Sequence, residues 1–152
     1  EAEPLKELLE SLISLRDQQS TRKSILLKIA PDLSQNQLDQ VIDIAQEVKL
    51  DGLITTNTSL SRAHLVSKNQ NEKGGVSGKP LSHRSTEMIK YIYKKTDGKL
   101  PIIGVGGVFT AKDAQEKLNA GASLIQIYTG FAYEGPAMVK HINQGLVQDI
   151  PE

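Results

Sequence analysis

Pro101-Ile102-Ile103-Gly104-Val105-Gly106-Gly107-Val108 and Ser123-Leu124-Ile125-Gln126-Ile127-Tyr128-Thr129-Gly130 follow the same pattern. Each is an apolar run of strand length that stops in a glycine turn and passes into a segment of helical spacing. A glycine turn between a strand and a helix presents bare backbone N–H groups next to a helix N-terminus, which suits a phosphate. Two such turns in succession make a phosphorylated ligand the first expectation, and they place it at the C-terminal ends of the strands.

Two further runs have the same character, Ile25 to Ala30 and Gly52 to Thr56. With Pro101 to Val105 and Ser123 to Tyr128 they give four strands. Their near-continuous Ile, Leu and Val content predicts parallel strands covered on both faces. Helical stripes lie between them. Ser34-Gln35-Asn36-Gln37 has capping-box form ahead of Leu38, Val41, Ile42, Ala45 and Val48. Met88, Ile89, Ile92 and Tyr93 form the next stripe, with Gly98 as its stop. Thr110 caps a short helix through Ala114 and Leu118 that ends at Gly121. Pro136 opens the last helix, with Val139, Ile142 and Leu146 on its apolar face. Pro4 opens the first, with Leu5, Leu8, Leu9, Leu12 and Ile13 along one side.

The order α-βα-βα-βα-βα predicts an α/β fold, four parallel strands each followed by a helix, the C-terminal half of a TIM (β/α)₈ barrel. A full barrel needs about 250 residues, and this chain has 152. Half a barrel leaves two unpaired sheet edges and an open inner face. The expectation is therefore one half-barrel domain over residues 1–152, a fragment or one of two pieces whose N-terminal half lies outside the chain, with a symmetric pairing of two copies as the alternative. The long polar segment Asn57 to Ser82 follows a strand's C-terminal end, so it belongs to the active face as a lid or a disordered loop.

Composition narrows the chemistry. The 18 basic and 18 acidic residues cancel, which removes the electrostatic footprint of a nucleic-acid binder. There is no cysteine, hence no disulfide, thiolate nucleophile or cysteine-ligated cluster. His64, His83 and His141 are too scattered for a metal site. No apolar run reaches membrane-spanning length, and Glu1-Ala2-Glu3-Pro4 is not the start of a signal peptide.

Four features carry candidate chemistry. Lys28 interrupts the apolar run from Ile25; it is either a strand-end lysine reaching solvent or a cation facing an anionic or electron-accepting ligand. Thr55-Thr56-Asn57-Thr58 puts more hydroxyl and amide groups after a core strand than a turn requires. Gly74-Gly75-Val76-Ser77-Gly78-Lys79-Pro80-Leu81 is weak alone. Gly106-Gly107 answers to a tight turn or to a phosphate, and Tyr128-Thr129-Gly130 on the next strand favours the phosphate.

Together these segments resemble the C-terminal half of dihydroorotate dehydrogenase, the flavin mononucleotide (FMN) enzyme family of pyrimidine biosynthesis. The matching pieces are Lys28-Ile29-Ala30-Pro31-Asp32, Asp51-Gly52-Leu53-Ile54 with Thr56-Asn57-Thr58, Gly74 through Leu81, Ile102 through Val108, and Ala120 through Gly130. Tyr128-Thr129-Gly130 with Tyr133-Glu134-Gly135-Pro136 is similar to the membrane-associated, quinone-using class. The resemblance implies that Lys28 lies by the flavin's pyrimidine edge, that Thr56 contacts flavin, and that Ser77 and Gly78 line its site. It implies that Gly106, Gly107, Tyr128 and Thr129 hold the phosphate, with Val105 and Ile127 nearby. Asn57 and Thr58 would hydrogen-bond dihydroorotate or orotate.

By the same resemblance the catalytic base is a serine on an earlier strand, so no catalytic residue is assigned within this chain, which by itself is expected to be inactive. The implied partners are dihydroorotate or orotate, a quinone and the N-terminal half of the barrel. The implied location is peripheral, through that N-terminal region, on the cytoplasmic face of a bacterial inner membrane, with the mitochondrial inner membrane as the alternative. A phosphosugar-type barrel enzyme shares the double-glycine turn, and a noncatalytic half-barrel module shares the open edges; Lys28, Thr56-Asn57-Thr58 and Ser77-Gly78 favour flavin over both.

Overall fold

A computed structural model describes residues 2–63 and 65–148; His64 lies outside the described residues. Helix α1 (Ala2–Asp17) leads into β1 (Leu26–Ile29), α2 (Gln35–Glu47) and β2 (Gly52–Thr55). A long loop ending in a 3₁₀ turn (Lys79–Leu81) precedes α3 (Ser82–Lys95), β3 (Ile102–Val105), α4 (Ala111–Asn119), β4 (Leu124–Gln126), α5 (Thr129–Glu134) and α6 (Ala137–Gln148). The strands form one parallel sheet in the order β1-β2-β3-β4. Sequence order equal to sheet order is the topology of successive βα units.

Local signals set the ends of the helices. At α2 the Ser34 hydroxyl accepts from Gln37 N–H while the Gln37 side chain accepts from Ser34 N–H, the expected reciprocal box. The same pair of bonds joins Thr110 and Asp113 at α4. Gly98 closes α3 by donating its N–H to the Tyr93 carbonyl at 2.9 Å.

Register shows which face is packed. Strand side chains alternate, and Ile29, Leu53, Thr55 and Ile102 turn to the helices, where all are buried. Leu38, Ile42 and Ala45 of α2 and Met88, Ile89 and Ile92 of α3 meet them, with Leu9 from α1. Each fully buried Leu or Ile contributes about 1.5–3 kcal/mol, so this layer holds the sheet in place. Asp51 ties α1 to the sheet edge, accepting from Arg16 at 2.9 Å, Ile25 N–H at 2.8 Å and Arg22. A smaller cluster of Val108, Ala114, Met138 and Ile142 supports the β3 turn.

The opposite sheet face is the open inner face expected of half a barrel, and there the strands are not covered as their apolar content alone predicts. Lys28, Leu124 and Gln126 are exposed and Ile54 and Ile103 only half-buried, because among the described residues no element covers that face. Three helical stripes were also drawn too wide. Leu8 and Leu12 of α1, Tyr93 of α3 and Val139 of α6 are exposed. In α4 the buried positions are Ala114 and Lys117 rather than Ala114 and Leu118.

Candidate functional site

A cleft opens at the C-terminal ends of the strands. All twelve side chains and glycines expected to hold cofactor or substrate line it: Lys28 from β1; Thr56, Asn57 and Thr58 after β2; Ser77 and Gly78 from the long loop; Val105, Gly106 and Gly107 at the end of β3; and Ile127, Tyr128 and Thr129 after β4. Leu81, Val108, Gln126 and Gly130 complete the wall. Gln126 was missed, although a polar residue interrupting an apolar strand is the signal that singled out Lys28. The two side chains meet, with Lys28 Nζ 3.5 Å from Gln126 Oε1.

The two glycine turns sit against each other. A Cβ at Gly130 would lie 2.4 Å from the Val108 carbonyl oxygen, so the turn after β4 rests on the turn after β3. Among the described residues, no protein acceptor takes the N–H groups of Gly107, Thr129 or Gly130, while the pairing of Val105 with Gln126 turns the Gly106 N–H toward β4. A run of unpaired amides in a concave turn is an anion-binding feature.

The two helices that follow these turns differ at their N-termini. At α4 that end is already filled. Asp113 Oδ2 accepts from Phe109 N–H at 2.9 Å, Thr110 N–H at 2.8 Å and Thr110 Oγ1 at 3.0 Å. Lys79 Nζ lies 2.9 Å from the same carboxylate and 5.1 Å from the centre of the Phe109 ring. Burial alone would raise the Asp113 pKa, but Lys79 and the Phe109 and Thr110 donors hold it below the ordinary carboxylate value. A carboxylate thus caps α4, and the amides left for a ligand are those of Gly107 and of Thr129-Gly130.

Thr56 is buried, and its Oγ1 has no partner among the described residues. A buried hydroxyl left unpaired at a cleft wall costs about 1–3 kcal/mol, which a polar ligand atom would recover. Thr55, grouped with it in the sequence, does not join the site. It faces the helices, fully buried, as strand alternation requires. Asn57 and Thr58 are exposed at the rim, and Asn57 Oδ1 accepts from Thr58 N–H at 2.9 Å, leaving the Asn57 amino group free to donate.

The long loop is tied down, not loose. Ser59 and Val76 form an antiparallel bridge, Asp32 accepts from Ser59 Oγ and Leu60 N–H, and Arg62 donates to the carbonyls of Glu72 and Gly74. Its far end crosses the cleft, where Thr129 Oγ1 donates to Ser77 Oγ at 2.9 Å. His83 and His141 are exposed, and the described residues contain no metal-binding cluster. No described helix is long and apolar enough to cross a membrane.

Residues 3–150 match the family model described as dihydroorotate dehydrogenase. The chain is 57% identical over 146 residues to the dihydroorotate dehydrogenase (quinone) of Christiangramia forsetii, covering 96% of this chain and 43% of that protein. It is 52% identical over 139 residues to the protein of the same name from Trichodesmium erythraeum, covering 86% of this chain and 37% of the relative. Among solved structures, ligand-free type DHODH from Eimeria tenella superposes with a TM-score of 0.92 at 32% identity, over 97% of this chain and 45% of that one. The chain therefore spans less than half the length of these relatives.

Proposed function

The chain belongs to the dihydroorotate dehydrogenase family, and we propose that it forms the flavin-holding wall of a quinone-dependent enzyme oxidising dihydroorotate to orotate in pyrimidine biosynthesis. The observation that carries this reading is the convergence of Lys28, Thr56, Ser77, the Gly106-Gly107 turn and Tyr128-Thr129 on one cleft. An N-terminal half-barrel outside this chain would supply the base, cover the exposed face of Lys28 and Leu124, and make the peripheral membrane contact. Without it the chain is inactive.

The residues present fit FMN. The free amides of Gly107, Thr129 and Gly130 suit its phosphate, and the unpaired Thr56 hydroxyl suits a polar ring atom. When bound, that group supplies hydride acceptance and return of the electrons to a quinone. Lys28 holds a positive charge on the cleft wall, and at about 4 Å and an effective dielectric near 20 a unit anion gains roughly 4 kcal/mol from such a cation before desolvation. Asn57 and Thr58 offer a free amino group and a hydroxyl at the rim, the donors a carboxylate-bearing pyrimidine needs. Ser77, bonded to Thr129, ties the long loop to the β4 turn at the edge of the cleft.

Anaerobic addition of dihydroorotate to the complete protein is expected to bleach its flavin absorbance, and a soluble quinone to restore it. Lys28→Ala is expected to slow bleaching on the order of 10²–10³-fold, the range for removing one preorganised charge-stabilising group. A complete protein that takes up no flavin, or bleaching at an unchanged rate in Lys28→Ala, would sink the reading.

A further inference from the structure

Lys117 is fully buried and has no carboxylate within ion-pair distance among the described residues. Its Nζ meets only neutral oxygens of α3: Ser85 Oγ at 3.1 Å, Thr86 Oγ1 at 3.1 Å and Ser82 O at 3.4 Å. Asp113, one helical turn away, is committed to Lys79 and to its own helix cap. A buried ammonium without a counter-charge is costly and rare.

Its surroundings lead to the glycine turn. Ser85 Oγ accepts from Lys117 and donates to the Val105 carbonyl at 2.6 Å, with the Thr55 carbonyl at 3.2 Å. The Val105 carbonyl belongs to the peptide that enters the Gly106-Gly107 turn, and the N–H of that peptide faces β4. Hydrogen bonds in series polarise one another, so a donor on that carbonyl fixes and polarises the peptide from which the turn springs. Ser82 and Ser85 are also the residues that back the turn. A Cβ at Gly107 would meet Ser82 Cβ at 2.5 Å, and one at Gly106 would meet Ser85 Cβ at 3.2 Å.

We propose that Lys117 is a positioning residue of the anion cradle, a buried cation that acts through Ser85 and the Val105–Gly106 peptide to favour a phosphate at the turn. The inference rests on the reading of that turn as the seat of the FMN phosphate. Burial pushes the Lys117 pKa down to about 8, against the smaller opposing pull of Asp113 and Glu116 on α4; Lys79 faces Asp113, and α3 offers only Ser82, Ser85 and Thr86. A bound anion favours the charged lysine, so by linkage the charged lysine favours the anion. A one-unit rise of the lysine pKa on binding corresponds to about tenfold in affinity.

The test uses the complete protein stripped of flavin and titrated with FMN and with riboflavin, which lacks the phosphate, by flavin fluorescence. Wild type is expected to prefer FMN strongly, and that preference to fall as pH rises through about 8. Lys117→Met is expected to cut the preference about tenfold and to flatten its pH profile, leaving riboflavin affinity unchanged; Lys117→Arg is expected to restore part of it. Ser85→Ala keeps the ammonium but severs the relay, and provides the same readout if Lys117→Met does not fold. Equal weakening of FMN and riboflavin, or an unchanged preference in whichever variant folds, would overturn the role of Lys117. A wild type with no preference for FMN over riboflavin would instead overturn the phosphate reading beneath it.

Discussion

The turn after β3 and the turn after β4 face the same cleft, yet they are not held alike. Gly106 and Gly107 are fixed from behind, with φ values of +122° and +71° and the start of α3 pressed against them. Tyr128 is 80% exposed, and Thr129 is anchored by a single hydroxyl bond to the Ser77 loop. Both turns pack a glycine, Gly130 lying against Val108 and Met138, but the β4 turn depends in addition on side chains at the cleft. A change in the first should therefore be felt as lost folding, and a change in the second as lost binding.

Gly107→Ala is expected to have the largest effect. The new methyl would lie 2.5 Å from Ser82 Cβ, 2.7 Å from its Cα and 2.8 Å from its N, so backbone must move. Overpacking and a left-handed conformation each cost about 1–3 kcal/mol, which together predict a loss of about 3 kcal/mol in urea unfolding. Loss of flavin in such a variant would say little about phosphate, because the turn itself is damaged. An unchanged urea midpoint would mean that the β3 turn is as yielding as its neighbour.

The sequence made the β3 turn legible as a motif but not as a packed object. Gly106-Gly107 follows an apolar strand in the text, while the α3 residues that close on it, Ser82 and Ser85, look like ordinary polar helix positions. Strand positions were read to within two residues at every end, because unbroken Ile, Leu and Val runs leave few alternatives. The Ser34 and Thr110 caps were legible because their chemistry is local. Lys117 was not, since a lysine in an amphipathic helix reads as solvated, and only the approach of α3 removes its water. The open inner face was legible from the count of four strands, although nothing in the local sequence marks Leu124 as one of the residues that line it.

Asp113→Asn should come next, since Asp113 joins the two turns' supports by capping α4 and holding Lys79 of the loop. Hydrogen bonds to a charged group contribute about 1.5–3 kcal/mol, and the partly exposed Lys79 adds little. A loss of about 1–2 kcal/mol at pH 7 is expected. The folded-state pKa of Asp113 is depressed, so its contribution is present above the unfolded value near 4 and is lost as pH falls through the folded one. Asp39 and Asp51 are depressed as well, so the quantity to measure is the difference between wild type and variant. That difference should shrink as the pH is lowered below about 4; a gap constant from pH 7 to pH 3 would mean that the carboxylate charge is not what closes the cap.

Thr129→Ala is expected to have the smallest effect on folding and the clearest effect on the ligand. The side chain is half-buried, and its one hydrogen bond among the described residues, to Ser77, joins two groups at the edge of water. Surface changes of this kind usually stay within about 0.5 kcal/mol, so the urea midpoint should barely move. If the β4 turn holds phosphate, the lost hydroxyl should weaken FMN about tenfold, the equivalent of one hydrogen bond to a charged group, while riboflavin binding stays the same. Ser77→Ala removes the same bond from the other end and leaves the Thr129 hydroxyl free for the ligand. It should therefore weaken FMN less than Thr129→Ala does. Equal effects would mean that the loop tie, not the phosphate contact, is what Thr129 contributes. A fall in stability as large as that of Gly107→Ala would erase the distinction between a turn built by packing and a turn that depends in addition on its side chains.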